Sequence, residues 1–579
     1  MRPAIFTFAG SGADTAAKIA TAIGGEIVDN PGEALPRLFR EGRTIIGVCA
    51  AAILIRKLAS YLADKHDEPP VIAVSQDGTH VVPLLGGHRG ANRLAREIAE
   101  ALGGSAALTT ASESRFTRAL DDPPEGWVLA NPEAAKSAMA EMLRGGTIAL
   151  NGEAMWLAEA GYPLGASGTI KVSATDGTIG VGLIYHPQTL VAGVGCERGT
   201  SAGEIIDLIE STLADASLAP LALAAIASID IKADEAGLHA AAAHFKVPLR
   251  LFAAAQLAAE TVPNPSTIVE SETGTASVAE AAASKAGRLV VPKHKSTRAT
   301  CAIGRASEIL DVTQFGRAPG MLHIVGIGPG DGPSRTTASI AALESSVHWV
   351  GYGLYLDLIA DLRLRQKEHR FPLGDEEVRT RHALELAATG ETVALVCSGD
   401  AQIYAMGALV YELLEAKGDR ALSPDARRVS IELHPGISAF QAASAHAGAL
   451  LGHDFCCISL SDLLTPRDDI LKRLHAAADA DFVTALYNPR SLKRIDLLDE
   501  ATAIFRRERP PETPVIVASN LGRSEERVTV TTLADFDPTA VDMLTIVLIG
   551  SSASRAFTRG DGRTVAYTPR GYAQKAVPA

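Results

Sequence analysis

Residues 322–331 place three glycines and an acid directly after a β-branched run, a pattern that holds ligands in many α/β proteins. They read LHIVGIGPGD, with Gly326, Gly328 and Gly330 in the turn. A glycine-rich turn between a strand and a helix is a common setting for nucleotide phosphates. Pro329, however, removes a backbone N–H that a pyrophosphate would need, and the next apolar run, VHWVGY, ends without an acid for a ribose. NAD is therefore not expected, and the turn is either another kind of ligand loop or a simple chain reversal.

Three later loops also place small and polar residues directly after an apolar run. They contain Ser398, Gly399 and Asp400 after TVALVC; His434, Pro435, Gly436, Ile437, Ser438 and Ala439; and Tyr487, Asn488, Pro489 and Arg490. Open α/β sheets bind their ligands at the carboxyl ends of the strands. We therefore expect these loops to line one cleft, although Asp400 is equally suited to capping a helix and His434 to a structural role.

The first half of the chain has its own polar loops. Gly86, Gly87, His88, Arg89 and Gly90 precede a helix, where free N–H groups favour an anion. A second loop runs from Cys196 to Ser201, and Ser201 with Glu204 forms a capping box, as Ser277 does with Glu280. The candidates for acid–base chemistry are His88, Lys232, Asp234 and Glu235, with a capped, solvated turn as the alternative for the last three.

Short β-branched runs alternate with alanine-rich helical stretches along the chain, which indicates a multidomain α/β protein with mostly parallel sheets. The stretch DVTQFGRAPG at residues 311–320 is typical of a linker. We expect two or three small α/β modules before it and a larger unit after it. The predicted boundaries are 1–128, 129–191, 192–310, a linker at 311–320, a unit at 321–560 that divides near 430, and a poorly ordered tail at 561–579.

Composition narrows the class of protein. The chain has 579 residues, 47% hydrophobic and 21% charged, with a formal charge of −13, which does not favour nucleic-acid binding. Its six cysteines include no C-x-x-C pair, so neither a disulfide framework nor a metal site is expected. No signal peptide or membrane-spanning run is recognised, and the expected location is the cytoplasm.

Residues 321 to about 552 resemble the tetrapyrrole methylase family and, within it, the precorrin-3B C17-methyltransferases. The resemblance rests on GIGPGD, VGYGLYLDLI, VALVCSGDAQIYAMGALVYELL, HPGISAFQAASAHAGALLGHDF, FVTALYNPRS and SNLGR. It implies two α/β lobes, a homodimer, and methylation at C17 with ring contraction of a precorrin. It also implies S-adenosylmethionine in the cleft, with contacts from Pro329, Gly399, Asp400, Ile403, Tyr404, Ser438 and Ala439.

A precorrin carries many carboxylates, so arginines are expected around such a cleft. The candidates beside the matched motifs are Arg335, Arg467, Tyr487 and Arg490, each of which is otherwise an ordinary loop or strand residue. The loop GPGDGPSRTT departs from the usual family pattern after its aspartate.

Residues from about Ile45 to Arg305 resemble the cobalt-precorrin-5A hydrolases, through VVPLLGGHRGANRLA, GCERGTSAGEI, IASIDIKADEAGL and VPKHKSTRATCAIGRA. That resemblance implies opening of a ring lactone with release of acetaldehyde. LLGGHRGAN has one glycine fewer than the family's usual loop. Three hypotheses remain: a bifunctional enzyme, a methyltransferase whose first half only binds tetrapyrroles, and a methyltransferase of the same fold that acts on another acceptor. Each is compatible with a cobalt-bearing substrate.

Overall fold

A computed structural model describes residues 2–7, 12–28, 31–62, 68–108, 115–363, 365–490 and 495–572, without the side chains of residues 31–33 and 88. The chain forms two compact units, Met1–Pro319 and Gly320–Ala579. Within the described ranges, no helix is both long and apolar enough to cross a membrane.

The first module of Met1–Pro319 is a six-stranded sheet with helices on both faces. Its order is β2-β1-β3-β4-β5-β6, and only β4 and β5 are antiparallel, joined by the predicted Asp77-Gly78 turn. The strands are β1 (Ala4–Thr7), β2 (Glu26–Ile27), β3 (Ile45–Val48), β4 (Val71–Val74), β5 (His80–Leu85) and β6 (Ser105–Ala106). The helices are α1 (Ala13–Ile23), α2 (Pro31–Arg40), α3 (Ala51–Leu58) and α4 (Ala91–Leu102).

The second module is a four-stranded sheet in the order β7-β10-β9-β8. Its elements are β7 (Trp127–Leu129), α5 (Ala135–Leu143), β8 (Ile148–Asn151), α6 (Met155–Glu159), β9 (Ile170–Ala174) and β10 (Leu183–Pro187). The boundary expected between residues 128 and 129 falls inside β7, which pairs antiparallel with β10. The module therefore begins earlier than expected.

The third module is a five-stranded sheet in the order β13-β12-β11-β15-β14. Its strands are β11 (Leu190–Cys196), β12 (Leu223–Ile229), β13 (Leu249–Phe252), β14 (Arg288–Lys295) and β15 (Ala299–Arg305). Its helices are α7 (Ala202–Asp215), α8 (Ala236–Phe245), α9 (Ala254–Ala258), α10 (Thr267–Thr273) and α11 (Val278–Ser284). The strand that opens this module starts at Leu190, two residues before the expected boundary.

The stretch expected to be a linker packs onto the third module. Phe315 is 7% exposed, and its ring centroid lies 5.1 Å from that of Phe252. Leu251 and Arg317 exchange two backbone hydrogen bonds of 2.8 and 2.9 Å. Residues 311–317 are thus part of the module, because their apolar side chains and backbone both find partners there.

In Gly320–Ala579, the first lobe is an all-parallel sheet in the order β18-β17-β19-β16-β20. Its strands are β16 (Met321–Gly326), β17 (His348–Tyr352), β18 (Lys367–Phe371), β19 (Thr392–Cys397) and β20 (Ser430–His434). Its helices are α12 (Thr337–Ser345), α13 (Gly353–Asp357), α14 (Glu376–Ala388) and α15 (Met406–Glu415). The lobe ends after His434, slightly later than expected, because residues 430–434 supply its edge strand.

The second lobe is a mixed sheet in the order β22-β23-β26-β24-β25, in which only β22 and β23 are parallel. Its elements are α16 (Ala439–Ala447), β21 (Gly448–Ala449), β22 (Phe455–Ser459), α17 (Arg467–Asp479), β23 (Val483–Tyr487), α18 (Leu497–Glu508), β24 (Pro514–Ser519), β25 (Arg527–Thr532), β26 (Thr545–Ile549), β27 (Arg555–Thr558) and β28 (Thr564–Tyr567).

The described part of the expected tail is ordered. β28 pairs with β21 and β27, Ala566 is fully buried in the second-lobe core, and the Thr568 hydroxyl donates to the Leu450 carbonyl at 2.6 Å. The expectation of a poorly ordered tail is therefore wrong for residues 561–572. The polar composition of the segment gave no indication that a few of its residues are buried.

Candidate functional site

Three glycine loops meet at the carboxyl ends of β16, β19 and β20, which are neighbours in the first-lobe sheet. A Cβ on Gly436 would lie 2.1 Å from the Gly399 carbonyl oxygen, and a Cβ on Gly326 would lie 2.6 Å from the same atom. Contacts this short with backbone exclude any side chain at either position. The backbones of the three loops consequently form the floor of the cleft.

Hydrogen bonds fasten these loops to one another. Gly328 and Gly399 have φ of +75° and +67°, and they exchange two backbone hydrogen bonds of 3.1 and 2.8 Å. Both glycines thus adopt the left-handed conformation that L side chains rarely take. Pro329, which is buried, follows the first of them in the same loop.

Asp400 braces the same floor. It is 8% exposed, and its carboxylate accepts the N–H of Gln402 at 2.8 Å and that of Gly436 at 3.2 Å. One side chain therefore ties the loop after β19 to the loop after β20. This contact makes Asp400 a positioning residue of the floor, a role that sequence reasoning did not distinguish from helix capping.

A tyrosine pair joins the two lobes beside this floor. Tyr404 has a φ of +51°, and its hydroxyl donates to the Cys457 carbonyl of the second lobe at 2.9 Å. The ring centroids of Tyr404 and Tyr487 are 5.0 Å apart, and Ile403 packs against the second-lobe core. Burial raises the pKa of both phenols, so both remain protonated at neutral pH and neither is a phenolate base.

The start of α16 lies on the second-lobe side of the pair. Ser438 is 1% exposed, and its backbone N–H donates to the Gln441 side chain at 3.0 Å. Phe440 donates its N–H weakly to the Tyr487 hydroxyl at 3.4 Å. The expected cofactor residues Ser438 and Ala439 therefore follow the Gly436 loop directly into the first turn of α16, whose N–H groups at Ser438 and Phe440 already have partners.

The three predicted substrate arginines already have protein partners. One terminal nitrogen of Arg335 donates to both carboxylate oxygens of Asp361, at 2.7 and 3.0 Å. Arg467 pairs with Asp496 and Glu500, and Arg490 donates to the Pro538 carbonyl. Each of these guanidinium groups fastens one protein segment to another, which argues against their binding substrate carboxylates.

Two other arginines lie near the floor and were not predicted. Arg379 is 3% exposed, and its contacts to Pro372 and Glu376 are long, at 3.4 Å. A Cβ on Gly330 would lie 3.2 Å from Cγ of Arg523, which places the stem of Arg523 against the first glycine loop. In the described part of the chain, the buried Nε atoms of both arginines have no hydrogen-bond partner.

Tyr355 links these two arginines. Burial raises the pKa of its phenol, while the charges of Arg379 and Arg523 oppose that rise, so both cations lie within electrostatic reach of one ring. SNLGR was an available signal for Arg523, since the motif follows β24. Arg379 lies in an ordinary helical pattern and carried no such signal.

The first unit brings together three of its four candidate residues. Glu235 is 3% exposed, and its Oε1 accepts the Gly199 N–H at 2.8 Å. Its Oε2 lies 3.6 Å from the Lys232 Nζ and 3.6 Å from a terminal nitrogen of Arg198. Asp234 pairs with Arg198 at 2.5 Å. The side chain of His88 lies outside the described part of the chain.

Two nearby groups are accounted for by structure. Burial raises the pKa of the Cys196 thiol to about 11, so it is not a thiolate nucleophile at neutral pH. The Glu204 N–H donates to the Ser201 hydroxyl at 3.3 Å, and the Glu204 carboxylate accepts from Ser296 and Arg298. Glu235 is thus the buried carboxylate of this cluster with a lysine beside it.

The fold and the floor of glycine loops define a class. The sequence family of tetrapyrrole (corrin/porphyrin) methylases matches residues 321–537, and this chain belongs to that family. The families described as cobalamin synthesis G N-terminal and cobalamin synthesis G C-terminus match residues 33–113 and 190–304. The protein is therefore a fusion of a cobalamin-synthesis G-like part with a methylase, as expected from both resemblances.

Curated relatives match 44% of the chain, all of it in the methylase part. A precorrin-3B C(17)-methyltransferase of Sinorhizobium sp is 40% identical over 256 residues, which cover 98% of that protein. A cobalt-factor III methyltransferase of Priestia megaterium is also 40% identical over 256 residues, but the chain spans only 46% of its length. The crystal structure of the methyltransferase CobJ is 39% identical, with 43% of this chain and all of that chain covered and a TM-score of 0.40.

Proposed function

We propose that residues 320–579 transfer a methyl group from S-adenosylmethionine to C17 of precorrin-3B, or of its cobalt-bearing form, with contraction of the ring. The observation that carries this proposal is the meeting of three interlocked glycine loops beside a tyrosine pair that joins two lobes. Relatives named precorrin-3B C(17)-methyltransferase and cobalt-factor III methyltransferase support the choice of acceptor. Their names differ in the metal, so both forms of the substrate are proposed.

The residues of the floor suit S-adenosylmethionine. Three positions without side chains leave backbone groups to contact the ligand, and Pro329, Gly399, Asp400, Ile403, Tyr404, Ser438 and Ala439 are the residues proposed to hold or position it. When bound, it would supply a methyl group on a sulfonium for in-line transfer to carbon, with the neutral thioether S-adenosylhomocysteine as the leaving group. The protein then has mainly to align donor and acceptor and to exclude water. Two neutral phenols and a braced backbone accomplish this without a strong base.

Arg379 and Arg523 are proposed to hold carboxylates of the tetrapyrrole. Arginine binds carboxylates through paired N–H groups, and both side chains have a buried Nε without a protein partner in the described ranges. They are proposed in addition to Arg335, Arg467 and Arg490; Arg335 likewise has a buried Nε without a partner in the described ranges. A homodimer formed through the methylase half, and a cytoplasmic location, are proposed from the family resemblance alone.

For residues 1–319 we propose opening of the lactone of a precorrin-5A-type intermediate, with release of acetaldehyde. The buried carboxylate of Glu235 carries this second proposal, because a base that activates water needs a shielded position and a polar neighbour. Lys232 is proposed to stabilise the negative charge that develops on the carbonyl oxygen of the lactone. Asp234 is proposed to hold Arg198 in position. The alternative remains a first half that binds tetrapyrroles without catalysing a reaction.

The decisive experiment incubates the full chain with S-adenosylmethionine and precorrin-3B, and separately with cobalt-bearing substrates that include a competent lactone. Mass spectrometry follows the methyl group, and a coupled assay follows acetaldehyde. Both products are expected from the wild type. Glu235→Gln should lose acetaldehyde release but keep methyl transfer. Glu197→Gln, an exposed control, should keep both activities. Methyl transfer without acetaldehyde would favour the binding alternative, and absence of transfer to any ring would refute the main proposal.

A further inference from the structure

Two histidines and a glutamate meet at the outer edge of the first-lobe sheet. Parallel pairing of β16 with β20 sets His323 beside Glu432 and Val325 beside His434. The Nδ1 of His323 lies 3.0 Å from the Nε2 of His434, and one Glu432 oxygen lies 3.6 and 3.8 Å from those two nitrogens. Three ligand-type atoms thus face one small space.

A hydrogen bond between the imidazoles explains only part of this arrangement. One shared proton satisfies the two facing nitrogens, but the glutamate oxygen is beyond hydrogen-bond range of both. It nevertheless turns toward them, although Glu432 is 56% exposed and has solvent available on its other side. The hydrogen bond between the imidazoles therefore does not explain why the carboxylate faces the space between their nitrogens.

The dimensions suit a metal ion. A tetrahedral Zn²⁺ with bonds of about 2.0–2.1 Å places its ligand atoms about 3.3 Å apart, and the observed 3.0–3.8 Å spans that value. The histidine side chains are 10% and 16% exposed, so they shield the inner side while the glutamate side is open to water. Two imidazoles and one carboxylate are a ligand set that divalent first-row metals accept.

We infer that His323, Glu432 and His434 form a binding site for a divalent first-row cation such as Zn²⁺ or Co²⁺, with an open position for water. The site is independent of the proposed methyl transfer. It lies on the edge strand that leads into the Gly436 loop, and a bound ion would hold that strand to β16. The sequence provided no indication of it, because His323 and His434 are 111 positions apart.

Metal content of the full-length protein tests the site. The apo chain is dialysed against Zn²⁺, and the bound equivalents are counted for the wild type, Glu432→Gln and His323→Ala. We expect the wild type to hold one equivalent more than either variant. His446→Ala is the matched control, since His446 pairs with Glu526 at 2.8 Å on the second lobe and no third ligand stands beside them among the residues that the structure describes.

A second readout separates coordination from loss of folding. Co²⁺ in a nitrogen- and oxygen-ligated tetrahedral site gives visible absorption, which should appear in the wild type and His446→Ala and be absent in Glu432→Gln. Glu432→Gln keeps the size of an exposed side chain, so its circular dichroism should match that of the wild type. Equal metal content in wild type and Glu432→Gln, or an equal loss in His446→Ala, would overturn the inference.

Discussion

Glu280 shows how one buried carboxylate holds the third module together. It is fully buried, and its oxygens accept the Asn264 backbone and side-chain N–H groups and the Lys293 N–H at 2.7–3.1 Å. Burial alone raises its pKa, but these hydrogen bonds outweigh burial, and the net pKa is lowered. The carboxylate therefore stabilises the fold in its charged form, in addition to its predicted place in a capping box.

Glu280→Gln should destabilise the protein in a pH-dependent way. Because the folded pKa lies below the unfolded value of about 4.3, the contribution is complete above that pH and is lost as the pH falls through the folded pKa. We expect a loss of about 2–3 kcal/mol at pH 7 that shrinks below about pH 4. Thermal unfolding of the full chain at several pH values measures it. The exposed Glu210→Gln should change little, and a pH-independent loss would contradict the explanation.

Arg523→Ala should weaken binding of the tetrapyrrole. Losing one charge-assisted hydrogen bond of about 1.5–3 kcal/mol raises KM roughly 10- to 100-fold. Affinity for S-adenosylmethionine should be unchanged. Arg559→Ala, which removes a surface ion pair with Asp561, is the control and should leave KM as in the wild type. Steady-state methyl transfer measures both variants, and an unaltered KM in Arg523→Ala would exclude this residue from substrate binding.

The contrast between these arginines marks what sequence reasoning reached at single positions. It identified the glycine loops, because the carboxyl ends of parallel strands share one edge of the sheet. Its candidate arginines are paired within the protein, which the sequence did not indicate because a guanidinium's partner is often distant in sequence: Asp361 for Arg335, Asp496 for Arg467. A sequence shows which residues are charged, but the partner of each charge depends on tertiary packing.

At the scale of elements, the first-lobe strands depend on close approach of their terminal loops. Gly436→Ala would set a methyl group 2.1 Å from the Gly399 carbonyl oxygen. The contacting atoms belong to the backbone, so they cannot turn aside as the end of a flexible side chain could. Such overpacking costs about 1–3 kcal/mol. We expect a lower unfolding temperature and loss of S-adenosylmethionine binding, measured by calorimetry. Gly560→Ala is the control, since no atom lies within 4 Å of its added Cβ. Normal cofactor binding by Gly436→Ala would contradict the interlocked floor.

The order of strands and helices was largely predictable, whereas their boundaries were not. Alternating apolar runs and amphipathic stretches predicted parallel α/β units, and the first-lobe sheet is entirely parallel, whereas three of the four strand pairs in the second-lobe sheet are antiparallel. β7 and β28 were missed because each is short: all three residues of β7 are half-buried, and only Ala566 of β28 is fully buried. The supposed linker contains Gly and Pro, which predict irregular backbone but cannot exclude packing by Phe315.

At the scale of the whole molecule, each unit has its own buried clusters and complete sheets. Residues 320–579 expressed alone should therefore fold and transfer methyl groups at the rate of the full chain. Residues 1–319 expressed alone should release acetaldehyde from a lactone substrate. Circular dichroism and the two product assays measure this. An insoluble or inactive 320–579 fragment would mean that the methylase requires the first unit.

The position of β26 also has a consequence for synthesis on the ribosome. β26 is nearly the last strand in the chain, yet it lies in the middle of the second-lobe sheet, between β23 and β24. The first lobe has all its strands once His434 has emerged, but β23 and β24 wait for residues 545–549 before they have a common neighbour. A nascent or truncated chain that stops between these points exposes unpaired apolar strand edges, which chaperones and proteases recognise. We therefore expect such exposure while residues 435–544 are being synthesised, until β26 can pair with β23 and β24.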